Sequence, residues 1–304
     1  MYDMFEFVIC CGGESTRNYP HSKGIAHKCL LPFGDKRLID YALQNIVHMG
    51  AKHVTIVCSN QQVVDTMKYA LKTDTKTEEK LRQKGKDKIA DILASTFLPD
   101  DMDIKYVIQS EPLGTAHVLS CVSPVIADRH VVLIFPDDII WSKNKDYPHI
   151  QRIVDEFIEN PKRALLTGVE KPDVRDNGIL VNNRLVEKPA HPANNIAAYT
   201  PIIICHEMIA FLTNQKDEKI AQARREHKEW VYTDAINDFL DAHEQEGFCA
   251  EMFMKDEQDI LMDTGNLAIY EQCLLRMLLQ ESIFAKENRE AIKTYTFQNL
   301  ENKK

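Results

Sequence analysis

The sequence has no CxxC pair, no basic block longer than one helix face, no glycine- or serine-rich tract, no internal repeat, and no apolar run of membrane-spanning length. Each absence excludes something. Without paired or regularly spaced cysteines, the eight thiols (Cys10, Cys11, Cys29, Cys58, Cys121, Cys205, Cys249, Cys273) read as reduced core residues rather than a disulfide framework or zinc ribbon. Without a basic block, and with a formal net charge of -9, a nucleic-acid backbone is not the expected partner. The opening Met-Tyr-Asp-Met-Phe-Glu carries acids where a secretory leader carries bases. With no apolar run of 18 or more residues, a cytoplasmic chain with no membrane partner is expected.

What is present is an ordinary globular composition: 304 residues, 44% hydrophobic and 27% charged, enough for one large α/β domain or two small ones. Short β-branched runs at 5–11, 53–59, 104–109 and 131–135 alternate with helical patterns, and further strand-like runs follow at 164–169, 178–187, 196–205 and 249–254. That alternation predicts parallel strands with crossover helices. In the first helix, over 38–51, Ile39, Ala42, Leu43, Ile46 and Val47 share a face, and Gly50 stands where the helix would stop. Helices are also expected over 234–243 and from Leu267 onward, while the charged stretch 72–91 reads as a solvated helical excursion. The polar end, 287–304, reads as a peripheral helix or a frayed terminus.

Four short motifs sit at predicted strand ends, where open α/β sheets bind ligands. Cys10-Cys11-Gly12-Gly13-Glu14-Ser15-Thr16-Arg17 follows the first strand, and Lys23 and Lys28 come soon after. A glycine turn lets backbone N–H groups approach phosphate oxygens, and the cations supply neutralising charge. Gln109-Ser110-Glu111-Pro112-Leu113-Gly114-Thr115 ends another strand; its glutamine amide can both donate to and accept from a base edge. Asp137-Asp138, with the distant Asp263-Thr264-Gly265-Asn266, offers carboxylates of the kind that hold Mg²⁺ together with phosphate oxygens. Val186-Glu187-Lys188-Pro189 offers a carboxylate for sugar hydroxyls and a lysine for a phosphate. Singly, each is compatible with an ordinary turn or cap.

Taken in order, the motifs resemble the bacterial UTP:glucose-1-phosphate uridylyltransferases of the sugar nucleotidyltransferase superfamily, from about residue 5 to 280. The resemblance rests on Gly13-Glu14-Ser15-Thr16-Arg17, Pro20-His21-Ser22-Lys23, His27-Lys28-Cys29-Leu30-Leu31-Pro32, Asn177-Gly178, Thr233-Asp234-Ala235-Ile236 and the motifs above. It implies a Rossmann-like, mixed but mostly parallel central sheet flanked by helices, with a C-terminal helical region. It also implies one nucleotidyltransferase domain over 1–304, made of a nucleotide-binding half (about 1–140), a sugar-phosphate-binding half (about 141–265) and a helical segment (about 266–304).

By the same resemblance, Arg17, Lys28, Asp137, Lys188 and Asp263 are the catalytic set, with Asp137 and Asp263 holding Mg²⁺. Cys11, Gly12, Gly13, Gln109, Gly114 and Thr115 would contact the nucleotide, and Gly178, Glu187 and Lys188 the sugar phosphate. The substrates implied are UTP and glucose 1-phosphate, and residues 78–86 are similar to an insertion that favours UTP over dTTP. The same chemistry on dTTP or another sugar 1-phosphate, and a non-catalytic nucleotide-sugar-binding subunit, stand as alternatives. The motifs depart from the family at Glu14, at Ser15 in place of a glycine, at Leu267 in place of a lysine, and in a Lys23-to-Lys28 interval one residue longer, with Ala26 and His27 around the usual proline. A leucine stripe (Leu274, Leu275, Leu278, Leu279) would suit either a homo-oligomer (dimer or tetramer) or packing on the chain's own sheet.

Overall fold

The computed structural model describes residues 2–301. In the first half the elements are β1 (Phe5–Cys11), β2 (Pro32–Phe33), β3 (Lys36–Arg37), α1 (Leu38–His48), β4 (His53–Cys58), α2 (Gln61–Ala70), α3 (Thr75–Gln83), α4 (Asp87–Ala94), β5 (Asp103–Ile108), α5 (Thr115–Ile126), β6 (His130–Ile134) and β7 (Asp138–Trp141). The second half continues with α6 (His149–Glu159), β8 (Arg163–Glu170), β9 (Gly178–Val181), β10 (Arg184–Glu187), β11 (Ile196–Ile204), α7 (His206–Glu226), α8 (Tyr232–Ala242), β12 (Cys249–Met254), β13 (Ile260–Asp263), α9 (Leu267–Arg276) and α10 (Ala285–Glu301).

Among the described residues, seven strands form one sheet in the order β12-β8-β11-β6-β1-β4-β5. Strand β11 runs antiparallel to both β6 and β8, and the other neighbours are parallel. The sheet is therefore mixed and mostly parallel, as the alternating runs predict. Its central strands are buried on both faces because helices cover both: Phe5, Phe7, Val8 and Ile9 of β1 and Val131, Val132 and Leu133 of β6 are fully buried, and so is Glu6, which accepts from the Thr55 hydroxyl at 2.6 Å. In α1, Ile39, Leu43 and Ile46 face the core, and Gly50 takes a left-handed φ of 73° just past the helix. Asp40 accepts from the Arg37 backbone N–H, which caps the helix start.

Three features differ from the sequence reading. The run 178–187 is a hairpin, not one strand: Asn182 and Asn183 both adopt positive φ (49° and 60°), a two-residue turn that asparagine tolerates and that apolar periodicity does not reveal. Its register places Glu187 opposite Gly178. The charged excursion is two helices, α3 and α4, and two helices that the periodicity did not single out, α6 and α7, complete the layers. The leucine stripe divides: Leu274 packs beside Phe33 and Met277, while Leu275 is half exposed. Helix α10 occupies 285–301, and 302–304 of the polar end lie outside the described residues.

Helix α5 begins where two segments are locked face to face. Trp230 N–H donates to Leu113 O (2.8 Å), Ala116 N–H donates to Trp230 O (3.0 Å), and Tyr232 N–H donates to the Thr115 hydroxyl (2.8 Å). Gly114 allows this: its φ is +102°, and a Cβ there would stand 2.3 Å from Trp230 O. The close approach made by Gly114 is thus to protein backbone, and the helix start is set by it. Gly114→Ala is expected to lower unfolding stability by about 3 kcal/mol through strain and loss of this contact. A urea titration of both proteins checks this; an unchanged midpoint would show that the loop is not held this way.

Candidate active site

Strands β1 and β6 are adjacent and parallel at the middle of the sheet, so the loops at their C-terminal ends share one edge. The loop after β6 carries Asp137, and Asp138 opens β7. Asp263 joins them through a small second sheet: β13 pairs antiparallel with β7 in a register that sets Asp263 opposite Asp138. Thr264 closes this seam, its N–H and hydroxyl both donating to Asp137 O (2.8 and 3.1 Å). The loop after β1 is tied to the same seam by Asn18, which is buried and donates from Nδ2 to Thr264 O at 3.1 Å. Arg17 is the residue before this anchor, exposed on the short turn Thr16–Asn18.

Lys28 reaches the seam directly, its Nζ lying 2.5 Å from Asp137 Oδ2 with both side chains largely shielded. The unusual Ser15 explains how the lengthened loop still delivers Lys28. Ser15 adopts the left-handed region (φ 58°), its hydroxyl accepts from Lys28 N–H (3.0 Å), and its carbonyl accepts from the Ser22 hydroxyl (2.7 Å). A glycine at this position would spare the strain but could not make the hydroxyl contact.

Three carboxylates meeting in a partly dry space repel one another. The Asp138 carboxyl is pushed well above its ordinary value of 3.8, by burial first and then by the charges of Asp137 and Asp263, with Lys28 opposing the shift. The donor set suits a hard divalent cation, which takes one or two carboxylates and completes its shell with phosphate and water oxygens. Gly265 leaves the space for it: a Cβ there would lie 3.0 Å from Asp263 Oδ1 and 3.4 Å from Asp137 Oδ2. Among the described residues the carboxylates do not close into a three-ligand cage; the one such cluster is Cys11, His27 and Cys29. A cation at Gly265 would therefore depend on oxygens brought by a ligand.

The second-half residues approach from the other flank. Tyr199 OH donates to Asp263 Oδ2 (3.3 Å), and Lys171 Nζ donates to Tyr199 OH (2.7 Å) and to Asn177 Oδ1 (3.0 Å). Asn177 O in turn accepts from Lys188 N–H (3.1 Å). Lys188 itself projects outward, 64% exposed at the side chain, with Nζ 3.9 Å from Glu187 Oε1. Glu187 lies beside Gly178, and burial raises its carboxyl above the usual range. Tyr232 is buried, its hydroxyl standing 3.6 Å from where a Cβ of Gly178 would lie, and burial, then the charges of Glu187 and Asp138, raise its phenol well above the ordinary value.

On the β5 side, Gln109 is buried, with Nε2 3.0 Å from Gly114 O and 3.2 Å from His117 Nδ1. Its Oε1 faces Gly12, where a Cβ would stand 3.0 Å away. The amide's donors are thus engaged internally, and the carbonyl is the side turned to the glycine loop. A cavity of about 950 Å³ lined by Arg37, Tyr69, Lys72, Lys76 and Leu93 lies apart from all of these residues, between α1 and the α3–α4 excursion.

The profile of the nucleotidyl transferase family matches residues 7–274. The chain belongs to the nucleotidyl transferase family. It is 28% identical over 152 residues to a UTP--glucose-1-phosphate uridylyltransferase of Bacillus subtilis (strain 168), covering 49% of each chain. It is 27% identical over 175 residues to the protein of that name from Salmonella typhimurium, covering 57% of this chain and 58% of that one. The chain thus spans about half the length of the curated relatives it matches. In architecture it is similar to a UDP-glucose pyrophosphorylase from Acinetobacter baumannii, with a TM-score of 0.76 at 20% identity over 95% of this chain and 99% of that one. A UDP-glucose pyrophosphorylase solved with UDP-glucose aligns with a TM-score of 0.67 at 19% identity, over 89% and 97% of the two chains.

For this nucleotidyl transferase, the sequence motifs missed Asn18, Lys171 and Tyr199, and included Thr264 without giving it a role. Only Lys171 leaves a trace: Glu170-Lys171-Pro172 repeats Glu187-Lys188-Pro189, a strand end followed by the same triplet. The proton on Asp138 gives a test of the seam. The folded chain binds that proton more tightly than the unfolded chain, so the stability it confers is present at acid pH and is lost as pH rises above the ordinary value towards the folded one. Asp138→Asn should flatten this decline and raise the melting temperature at neutral pH in chelator by roughly 3 °C. Melting curves at several pH values check it; a variant less stable than the parent at pH 8 would contradict the repulsion described.

Proposed function

We propose that the protein transfers a uridylyl group from UTP to glucose 1-phosphate, giving UDP-glucose and pyrophosphate, as the names of its relatives suggest. The observation that carries the reading is the seam itself: Asp137 and Asp263 flank a glycine-cleared space, with Lys28 on one side and the Lys171–Tyr199 pair on the other. Such a site is built for anions bridged by a metal rather than for proton transfer. In the proposed reaction a phosphate oxygen of the sugar attacks the α-phosphorus in line, and pyrophosphate leaves from the opposite side. The nucleophile is anionic near neutral pH, so no general base is needed. The work of the chain is to hold two mutually repelling ligands in contact.

In this reading Lys28 leaves Asp137 for the phosphates, Arg17 braces the triphosphate from the turn above, and Lys188 folds inward onto the sugar phosphate. The backbone of Cys11, Gly12 and Gly13, with Gln109, Gly114 and Thr115, borders the base; the free Gln109 carbonyl suits a donor edge such as the N3–H of uracil. Gly178 and Glu187 border the glucose hydroxyls. Asp137 and Asp263 would hold Mg²⁺, which when bound offsets phosphate charge and polarises the phosphoryl oxygens. In this reading about 1–140 and about 141–265 serve as the nucleotide and sugar-phosphate halves, followed by the helical segment from about 266. The exposed Leu275, Ile283 and Phe284 support assembly into a homo-oligomer, dimer or tetramer. The setting proposed is cytoplasmic; no helix among the described residues is long and apolar enough to cross a membrane.

Pyrophosphate release with Mg²⁺ and a panel of nucleotides and sugar 1-phosphates tests the reading. UTP with glucose 1-phosphate should turn over fastest; a preference for dTTP would overturn the uridylyl assignment, and UDP-glucose binding without turnover on any pair would assign a binding subunit instead. Asp137→Asn and Lys188→Ala should each lower kcat/KM by about 100-fold or more while leaving the melting temperature within about 2 °C. Near-normal turnover in either variant would remove that residue from the site.

A further inference from the structure

Beneath the glycine loop, three side chains that the proposed reaction does not use come together. Cys11 ends β1, while His27 and Cys29 flank Lys28 on the following loop. All three are buried, at 0%, 2% and 0% exposure. Their ligand atoms, two sulfurs and an imidazole nitrogen, lie within 4.8 Å of one another. His27 occupies the place where the family signature has a proline, so the imidazole comes with the rearranged loop. Cys58, also fully buried, sits beside Cys11 on the neighbouring strand in direct register, on the same face of the sheet.

We propose that Cys11, His27 and Cys29 form a site for a thiophilic divalent cation of the zinc type, with Cys58, in register with Cys11 but outside their 4.8 Å group, drawn in as the fourth donor. Sulfur and imidazole are the ligands such ions select, and a Cys₃His set is a common closed tetrahedral shell. The spacing fits. Cys11 Sγ and Cys29 Sγ are 3.5 Å apart. Metal–sulfur bonds of about 2.3 Å in a tetrahedron set sulfurs about 3.8 Å apart, so the pair needs only a few tenths of an ångström of adjustment. A disulfide would instead require the sulfurs to close to about 2.05 Å and an oxidant to remove two electrons.

Proton balance is simple. The His27 Nδ1 lone pair accepts the Cys29 backbone N–H at 3.2 Å, a long hydrogen bond, and whichever ring nitrogen coordinates, the neutral imidazole keeps its one proton on the other. The coordinated thiols lose their protons to solvent. This site is chemically separate from the carboxylate seam: soft donors here, hard oxygens there. Its structural effect is to fasten the His27–Cys29 segment to the end of β1, and with it Lys28, whose amine meets Asp137.

Elemental analysis of the full chain, purified without chelator after growth with added zinc, should find about one zinc per chain. Added Co²⁺ should give the thiolate charge-transfer and tetrahedral d–d absorption of a sulfur-rich site. Cys11→Ser, Cys29→Ser and His27→Ala should each lower the retained zinc at least tenfold, whereas Cys249→Ser, on the distant β12, should leave it unchanged. Because a core variant can fail to fold, the parent chain provides the decisive arm: absence of zinc together with no Co²⁺ thiolate bands at excess metal would overturn the proposal. Formation of a Cys11–Cys29 disulfide with peroxide, in chain that takes up neither metal, would replace it with a redox pair.

Discussion

The interaction on which the rest depends is the pairing of β7 with β13. That short ladder, closed by the two hydrogen bonds from Thr264 to Asp137 O, forces three carboxylates into one small volume. No pairwise attraction among them favours it; burial first, and then the charges of Asp137 and Asp263, raise the Asp138 carboxyl well above its ordinary value. The chain offsets it with the Lys28 amine, and the remaining imbalance is what makes the seam receptive to a cation and, through it, to phosphates. The cost is supported by the large sheet and helix layers behind it, whose apolar strands hold β1 and β6 side by side.

The loop after β1 shows how a family site tolerates substitution. Ser15 pays backbone strain but positions Lys28 through its hydroxyl, and the longer interval before Lys28 is absorbed by a turn fixed by Ser22 and by His27. Two of the departures, Ser15 and His27, bear on where one lysine stands, and Asn18 ties the same loop to the Asp263 segment. A change at any of them is felt at the seam through contacts rather than through the fold.

Much of the fold was legible. The apolar runs located the strands of the large sheet, and the amphipathic stripe and Gly50 located α1 and its end. The hairpin at 178–187 was not, because two consecutive asparagines with positive φ interrupt a run whose composition is uniformly strand-like. Helix α7 was missed where charged residues dilute its stripe, whereas α6 was missed although Ile150, Ile153, Val154 and Phe157 share one buried face. For the site, the strand-end motifs named Lys28, Asp137 and Asp263, which the structure brings to one place, and Glu187 and Gly178, which it sets opposite each other. It gave no hint that Gly114 is required by the Trp230 backbone.

The sequence by itself determined the strand order along the chain, the glycine turns and the residue types available at each strand end, because periodicity and turn chemistry act over a few neighbouring residues. Only the tertiary structure decided which ends meet. Asn18 finds Thr264 across 246 positions and Thr264 finds Asp137 across 127, and the gathering of Lys171 with Tyr199, or of Cys11 with His27 and Cys29, is likewise a matter of which loops the sheet places together. Such contacts are set by strand neighbours and register, which the whole core selects at once and no local pattern encodes.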